Sequence, residues 1–175
     1  MPETPKSRRM NELGPTGQQV AANVRRFRRL RGLSTTELAR RLTEVGRPTI
    51  AGAITRIEAG RRRVDADDLV ALAQTLGVTP SALLLPPTAE GHTEVTGAGQ
   101  VPAHDAWRWM DGQWPLGASR DPEELRKQLT DFHLHARPYG IPPYQSVDDA
   151  VVWMRDFDAT PFEKDRTAPG QHDRK

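Results

Sequence analysis

The feature that most constrains the fold is a pattern that recurs five times between residues 17 and 85. Each time, a short stretch carries apolar residues three or four positions apart, which is the spacing of one helix face. Each stretch then stops at a glycine, a proline or a polar turn, where helices commonly end. We therefore predict that this part of the chain is mainly α, with five short helices around one core.

The bounds of these helices follow from the apolar spacing and from residues that suit helix ends. Ser34 and Glu37 have the spacing of a capping box, in which the Ser hydroxyl and the Glu carboxylate each accept an early backbone N–H. Thr79 followed by Pro80 is a typical helix start. The five predicted helices cover about residues 17–31, 34–42, 50–59, 65–76 and 80–85.

Composition divides the rest of the chain. Residues 88–104 are rich in Gly, Thr and Ala, and this composition predicts a linker after the Pro86-Pro87 pair. Residues 105–162 hold all four Trp residues, and this aromatic content predicts a small second core. The predicted segments are a disordered arm at 1–14, the helical domain at 15–87, the linker at 88–104, an aromatic-rich unit at 105–162 and a disordered tail at 163–175.

The aromatic-rich unit shows two kinds of local pattern. Trp107 and Trp109 alternate into Asp111-Gly112, with Trp114 beyond, which predicts a β-hairpin. Two helices are predicted after it, one starting at Asp121 and one at Ser146. We therefore expect this unit to be α-rich with one hairpin.

Charge is distributed unevenly along the chain. Residues 1–87 hold 15 Lys and Arg against eight Asp and Glu, a net charge of +7, whereas residues 88–175 hold ten against 15, a net charge of −5. Nearly all the basic residues of the first half are Arg, which binds phosphate with two parallel hydrogen bonds. The opposite signs predict two units with different partners. The partner of the first, basic unit is predicted to be a polyanion.

Several function classes find no support in the residues. The chain has no Cys, which excludes disulfides and thiolate metal sites. His133 and His135 are two positions apart on a predicted helix and point to different faces, so we expect no metal site. No nucleophile–base pair is apparent, and no apolar run is long enough to span a bilayer. We expect a soluble, cytoplasmic protein that is not an enzyme and needs no cofactor.

Three strings carry a resemblance to a known family. They are RRFRRLRGLSTTELARRL, ITRIEAGRRRV and DDLVALAQTLGVTPSALL, in this order. Residues 17–85 resemble the Cro/cI-type helix-turn-helix family, also called XRE, which includes phage repressors. The resemblance implies a five-helix, lambda-repressor-like domain that binds double-stranded DNA, in a regulator of transcription.

By this resemblance the third helix, Ile50–Ala59, lies in the major groove, which admits one helix. The family's base-contacting positions fall on Ala51, Gly52 and Arg56. Ala51 and Gly52 depart from the family because they have no hydrogen-bonding side chain. They can offer only close approach or contact with a thymine methyl. Thr55 could contact a base or the backbone. The turn before the helix is longer than the family's, so Arg47, Thr49 and Ile50 are further candidates to reach the groove.

Other residues are predicted to bind phosphates around this helix, although an ordinary solvated charge run is the alternative for the Arg cluster. The predicted phosphate contacts are Gln18, Thr35, Arg47, Arg61, Arg62 and Arg63. The resemblance gives Arg28 and Glu58 a different role, a salt bridge between the first and third helices. This pair would also neutralise a carboxylate that otherwise repels phosphate.

Two functions remain open at this stage. The first is a sequence-specific regulator, with repression favoured over activation, that binds a pseudo-palindromic operator as a homodimer. The second is an antitoxin-like interaction protein, in which the acidic C-terminal unit binds a protein partner. In either case the expected partner of the first domain is DNA.

Overall fold

The described part of the chain, residues 13–138 of a computed structural model, consists of helices and one small sheet. The predicted helix from Ser146 and the tail at 163–175 lie outside it, as do nearly all of the arm and the end of the aromatic-rich unit. The helices are α1 (Pro15–Leu30), α2 (Thr35–Glu44), α3 (Ala51–Glu58), α4 (Ala66–Leu76), α5 (Pro80–Leu84), α6 (Ala103–Met110) and α7 (Pro122–Ala136). Strands β1 (His92–Val95) and β2 (Gly99–Pro102) pair antiparallel. The prediction of a mainly α fold is confirmed.

Helices α1 to α5 lie within two residues of their predicted bounds, and three of them have side-chain N-caps. Ser34, Asp65 and Thr79 each accept a hydrogen bond from the backbone N–H three residues further along. Only half of the predicted capping box forms. The Glu37 carboxylate binds Arg40 and Arg41 instead of the Ser34 N–H. Bonds to a guanidinium are stronger than bonds to a neutral amide, which explains the difference.

The core of this five-helix domain contains the apolar residues that the helical spacing predicts. Phe27 and Leu69 are partly buried at its edge. Its buried members are Val20, Val24, Leu33, Leu38, Ala39, Leu42, Ile54, Ile57, Ala71, Leu72, Ala73, Leu76 and Leu83. Isolated helices of this length have only marginal stability. Burial of their apolar side chains in a common core is therefore what mainly stabilises them.

One buried polar residue, Asn23 of α1, joins the first and last helices of the domain. Its amide nitrogen Nδ2 donates to the carbonyl oxygens of Leu83 and Leu85 at 3.0 and 2.7 Å. Its Oδ1 accepts from Arg26 Nε at 3.2 Å. Since α5 is only five residues long, its last carbonyls have no partners within the helix, and Asn23 supplies them.

The predicted linker at 88–104 contains the β-hairpin, which the sequence prediction did not place there. His92 pairs with Pro102 and Val95 with Gly99. Val95 is buried against Leu85 and Ala106 in a second, smaller core. The glycines that indicate a linker instead form the hairpin turn, where Gly97 has φ +88°. The division of the chain into two domains remains a prediction.

The hairpin predicted around Asp111-Gly112 is wrong, because Trp107 and Trp109 belong to α6. Ala103 and Ala106, three positions apart, form the buried side of this helix. Trp107 Nε1 donates to the Pro86 carbonyl at 3.1 Å, which fixes α6 against the end of the five-helix domain. An Asp-Gly pair suits a helix end as well as a hairpin, since Gly112 adopts φ +68°.

The helix predicted from Asp121 is present as α7. Asp121 Oδ1 accepts from the backbone N–H groups of Glu123 and Glu124 and so caps its start. None of its residues is buried. Polar contacts with the preceding loop hold it: Gln128 accepts from the Ser119 N–H at 2.8 Å, and His133 Nε2 lies 2.9 Å from the Gln113 carbonyl.

Candidate nucleic-acid interface

Helices α2 and α3 pack against each other and are joined by a six-residue turn at 45–50. α3 buries one side in the core, through Ala53, Ile54 and Ile57. Its other side exposes Gly52, Thr55, Arg56 and Ala59 to solvent. This exposed side is therefore free to approach another molecule without disturbing the core.

Arg56 dominates this exposed side. Within residues 13–138 its guanidinium makes no hydrogen bond or ion pair. It lies over Gly52, where an added Cβ would be 3.7 Å from Arg56 Nη1. Thr55 Oγ1 donates to the Ala51 carbonyl at 3.1 Å, so its hydroxyl can still accept a hydrogen bond. Ala51 is half-buried at the start of the helix.

Arg47 binds carboxylates of α4 instead of pointing outward from the turn. Its Nε donates to Asp68 Oδ1 at 2.7 Å, and its Nη2 donates to Asp65 Oδ2 at 2.8 Å. The hydrogen bond to Asp68 raises the pKa of Arg47 above its ordinary value. Thr49 Oγ1 donates to the Arg47 carbonyl at 3.2 Å. Arg47 therefore stabilises the turn, because two acidic side chains at the start of α4 attract it, and this disfavours the predicted phosphate contact.

Arg62, in the loop after α3, also binds the buried carboxylate of Asp68, at 3.2 Å. Asp68 therefore connects the turn before α3 to the loop after it. Nothing in the sequence indicates that Asp68 binds these two arginines. Arg61 and Arg63 are exposed in the same loop.

Two further predicted phosphate contacts lie at helix starts. Gln18 is exposed in the first turn of α1, and its Nε2 donates to the Leu13 carbonyl at 3.2 Å. Thr35 is the first residue of α2 and is half-buried. Both positions are near backbone N–H groups that have no helical partner and favour anions. Their contact with phosphate stays a prediction.

The salt bridge between Arg28 and Glu58 is present and nearly buried. Arg28 Nε and Nη2 donate to the two Glu58 oxygens at 2.5 and 2.9 Å. Arg28 Nη1 also donates to the Leu33 carbonyl at 2.7 Å. The Glu58 side chain is 5% exposed, and Arg25 Nε lies 3.8 Å from its Oε2. Glu58 therefore ties α3 to α1, and its negative charge is neutralised.

Two helices joined by a turn, with the second exposing one side, define the class of this domain as helix-turn-helix. Comparison with known families agrees: residues 19–84 match the family model described as a helix-turn-helix domain. This segment belongs to the helix-turn-helix domains of the XRE/Cro-like kind. No curated protein and no solved structure matches the chain.

A domain of this kind indicates DNA binding and points to regulation of transcription. Domains of this family are generally not enzymes. Within residues 13–138, no helix has the length and apolar character needed to cross a membrane. The same residues contain no group of three His, Asp or Glu side chains arranged to hold a metal ion.

Proposed function

We propose that the protein is a sequence-specific regulator of transcription that inserts α3 into the major groove of double-stranded DNA. The observation that carries this proposal is the exposed side of α3, where the guanidinium of Arg56, which has no partner among residues 13–138, lies above Gly52. Arg donates to two acceptors of guanine in the major groove. Gly52 and Ala51 add no bulk that would keep the helix from the bases.

The proposal assigns base contacts to α3 and the turn before it, and phosphate contacts to the surrounding loops. Arg56 contacts a base edge, with Thr55, Ala51 and Gly52 beside it. Thr49 is a weaker candidate because it is half-buried in the turn, whereas Thr55 is exposed. Arg61, Arg62 and Arg63 are the predicted phosphate contacts of the basic loop, and Arg62 also binds Asp68. The other predicted phosphate contacts are Gln18, Thr35 and Arg47, of which Arg47 is disfavoured by its bonds to Asp65 and Asp68.

The test begins with selection of bound sequences from a random pool of DNA duplexes. Affinity for the selected duplex and for a scrambled one is then measured for Arg56→Ala and for Arg61→Ala. Both residues are exposed, so neither change should disturb folding. Arg56→Ala should lose about 1–3 kcal/mol on the selected duplex and most of its preference over the scrambled one. Arg61→Ala should weaken binding to both duplexes alike and keep the preference.

The opposite result would contradict this docking. If Arg61→Ala removed the preference and Arg56→Ala did not, the bases would be contacted from the loop rather than from α3. If the protein selected no duplex at all, the proposal that it binds DNA sequence-specifically would be wrong.

The proposed regulator acts as a homodimer on two half-sites about one helical turn apart, and represses by occupying its operator. A single domain of this size contacts few base pairs, and a dimer doubles the contacted sequence. The proposal includes the cytoplasmic location that we expect from the sequence.

A second candidate function, antitoxin-like binding of a protein partner, is favoured by one observation at α7. This helix has no buried residue, and its Leu134 is 70% exposed. Sedimentation of the full chain separates self-association from partner binding. If Leu134→Asp changes neither the molecular mass determined by sedimentation nor the affinity for DNA, α7 does not form the dimer interface and can bind a partner.

A further inference from the structure

A large aliphatic side chain, Ile50, lies exposed at the start of α3. It is the N-cap residue of the helix, and 68% of its surface is accessible to solvent. It therefore contributes little to the core. Exposure of this degree is common for single residues, so the position matters more than the exposure itself.

At this position Ile50 also weakens the helix it begins. Its side chain has no hydrogen-bonding atom, and α3 has no side-chain cap. The preceding and following helices are capped by Ser34 and Asp65. Ile is among the poorest N-cap residues. Ile50 has extended backbone angles, which branched side chains favour, but Thr would fit these angles and cap the helix as well. Neither packing nor capping accounts for an isoleucine here.

The two residues that follow Ile50 have no polar side chain, and the turn that precedes it is held in place. Ala51 and Gly52 follow it and carry no polar side-chain atom. The turn before it is fixed by the bonds from Arg47 to Asp65 and Asp68. A rigid turn presents Ile50 in one place, so a contact made there loses little conformational freedom. This end of α3 therefore offers a small apolar surface of fixed position.

The N-terminal residues of the second helix in this motif contact base edges. The apolar group on the floor of the major groove is the C5 methyl of thymine. We propose that Ile50 contacts the C5 methyl group of one thymine in each half-site and thereby selects thymine at that position. This inference rests on the proposed function, and it adds an apolar contact to the polar contact assigned to Arg56.

The test replaces each thymine of the selected duplex by deoxyuridine, one position at a time, which removes only the methyl group. Affinity of the full chain is measured against every duplex. The protein should lose about three- to fivefold at one position of each half-site, the effect of one buried methyl. Ile50→Ser should bind the thymine duplex more weakly by a similar factor and show no further loss with deoxyuridine there.

The Ser variant also separates this contact from folding, because Ser is a better N-cap and should not lower the melting temperature. Val70→Ser is the matched control, since Val70 is 57% exposed on α4. This variant should keep the full deoxyuridine effect. Ile50→Val keeps a branched apolar side chain and should retain part of it.

Four outcomes would overturn the inference. If the selected duplex were insensitive to deoxyuridine at every position, this inference would fail and the proposed function would stand. The same holds if the deoxyuridine effect persisted undiminished in Ile50→Ser. Loss of self-association in Ile50→Ser, with equal weakening on all duplexes, would assign Ile50 to contact between two copies of the chain. If the protein selected no duplex, the proposed function would fail and this inference with it.

Discussion

Replacement of Arg28 by Ala would leave the Glu58 carboxylate without the two hydrogen bonds that hold it. Glu58 is 5% exposed, and within the described residues the remaining cation near it is Arg25, with Nε 3.8 Å from Oε2. Removal of one partner of a buried ion pair costs about 3–5 kcal/mol, because the other charge stays buried. We expect a loss near the lower end of this range, since Arg25 can move closer.

The double change should cost less than the sum of the single changes. Glu58→Ala leaves Arg28 bound to the Leu33 carbonyl, and the Arg28 side chain is 13% exposed and can reach solvent. With both side chains gone, no buried charge is stranded. The expected coupling between the two changes is about 1–3 kcal/mol.

The assay is urea unfolding of the wild type, both single variants and the double variant at one salt concentration. Arg40→Ala serves as control, because Arg40 forms exposed pairs with Glu37 and Glu44 within α2 and should matter far less. Losses that simply add would show that Arg28 and Glu58 stabilise the fold independently. A loss for Arg28→Ala no greater than that of Arg40→Ala would refute the argument from burial.

Three further predictions concern other parts of the fold. A fragment of residues 1–87 lacks the hairpin and α6 that cover Leu85, so it should melt below a fragment of residues 1–138, and equal melting temperatures would contradict the second core. Asn23→Leu should cost about 1–3 kcal/mol in urea unfolding, because it leaves buried carbonyls of α5 unbonded, and an unchanged midpoint would count against this. The hydrogen bonds from Arg40 and then Arg41 lower the pKa of Glu37 from 4.5 to about 2. Its contribution to stability is therefore complete above pH 4.5 and is lost as the pH falls toward 2. Glu37→Gln should make the melting temperature less dependent on pH in that window, and an unaltered acid profile would disprove it.

The first five helices could be predicted because their local signals agree with the tertiary structure. The apolar spacing, the caps at Ser34 and Thr79, and the glycines at helix ends all indicate the same elements. Where signals are weaker, the prediction fails. The Trp107–Trp109 alternation is also compatible with a helix, and the helix is favoured by a distant contact, the packing of Ala106 against Val95 of the hairpin.

The candidate site was predictable where it depends on order along the chain, and less so where it depends on distant contacts. The exposed position of Arg56 follows from inward Ala53 and Ile57 on the same helix. The position of Arg47 does not, because Asp68, its partner, lies 21 residues further along and on another helix. The sequence shows the charge of Arg47 but not the carboxylate that binds it.

The bonds from Arg28 to Glu58, and from Arg47 and Arg62 to Asp68, have a consequence for the thermodynamics of DNA binding. Association releases the small cations condensed on DNA. The logarithm of the binding constant therefore falls linearly with the logarithm of the salt concentration, with a slope of about 0.9 for each phosphate neutralised. An arginine whose charge is already balanced by a carboxylate displaces few of these cations. Residues 1–87 carry a net charge of +7, but Arg28, Arg47 and Arg62 are paired with carboxylates of the same domain. The affinity of the domain for DNA should therefore depend less steeply on ionic strength than its content of arginine suggests.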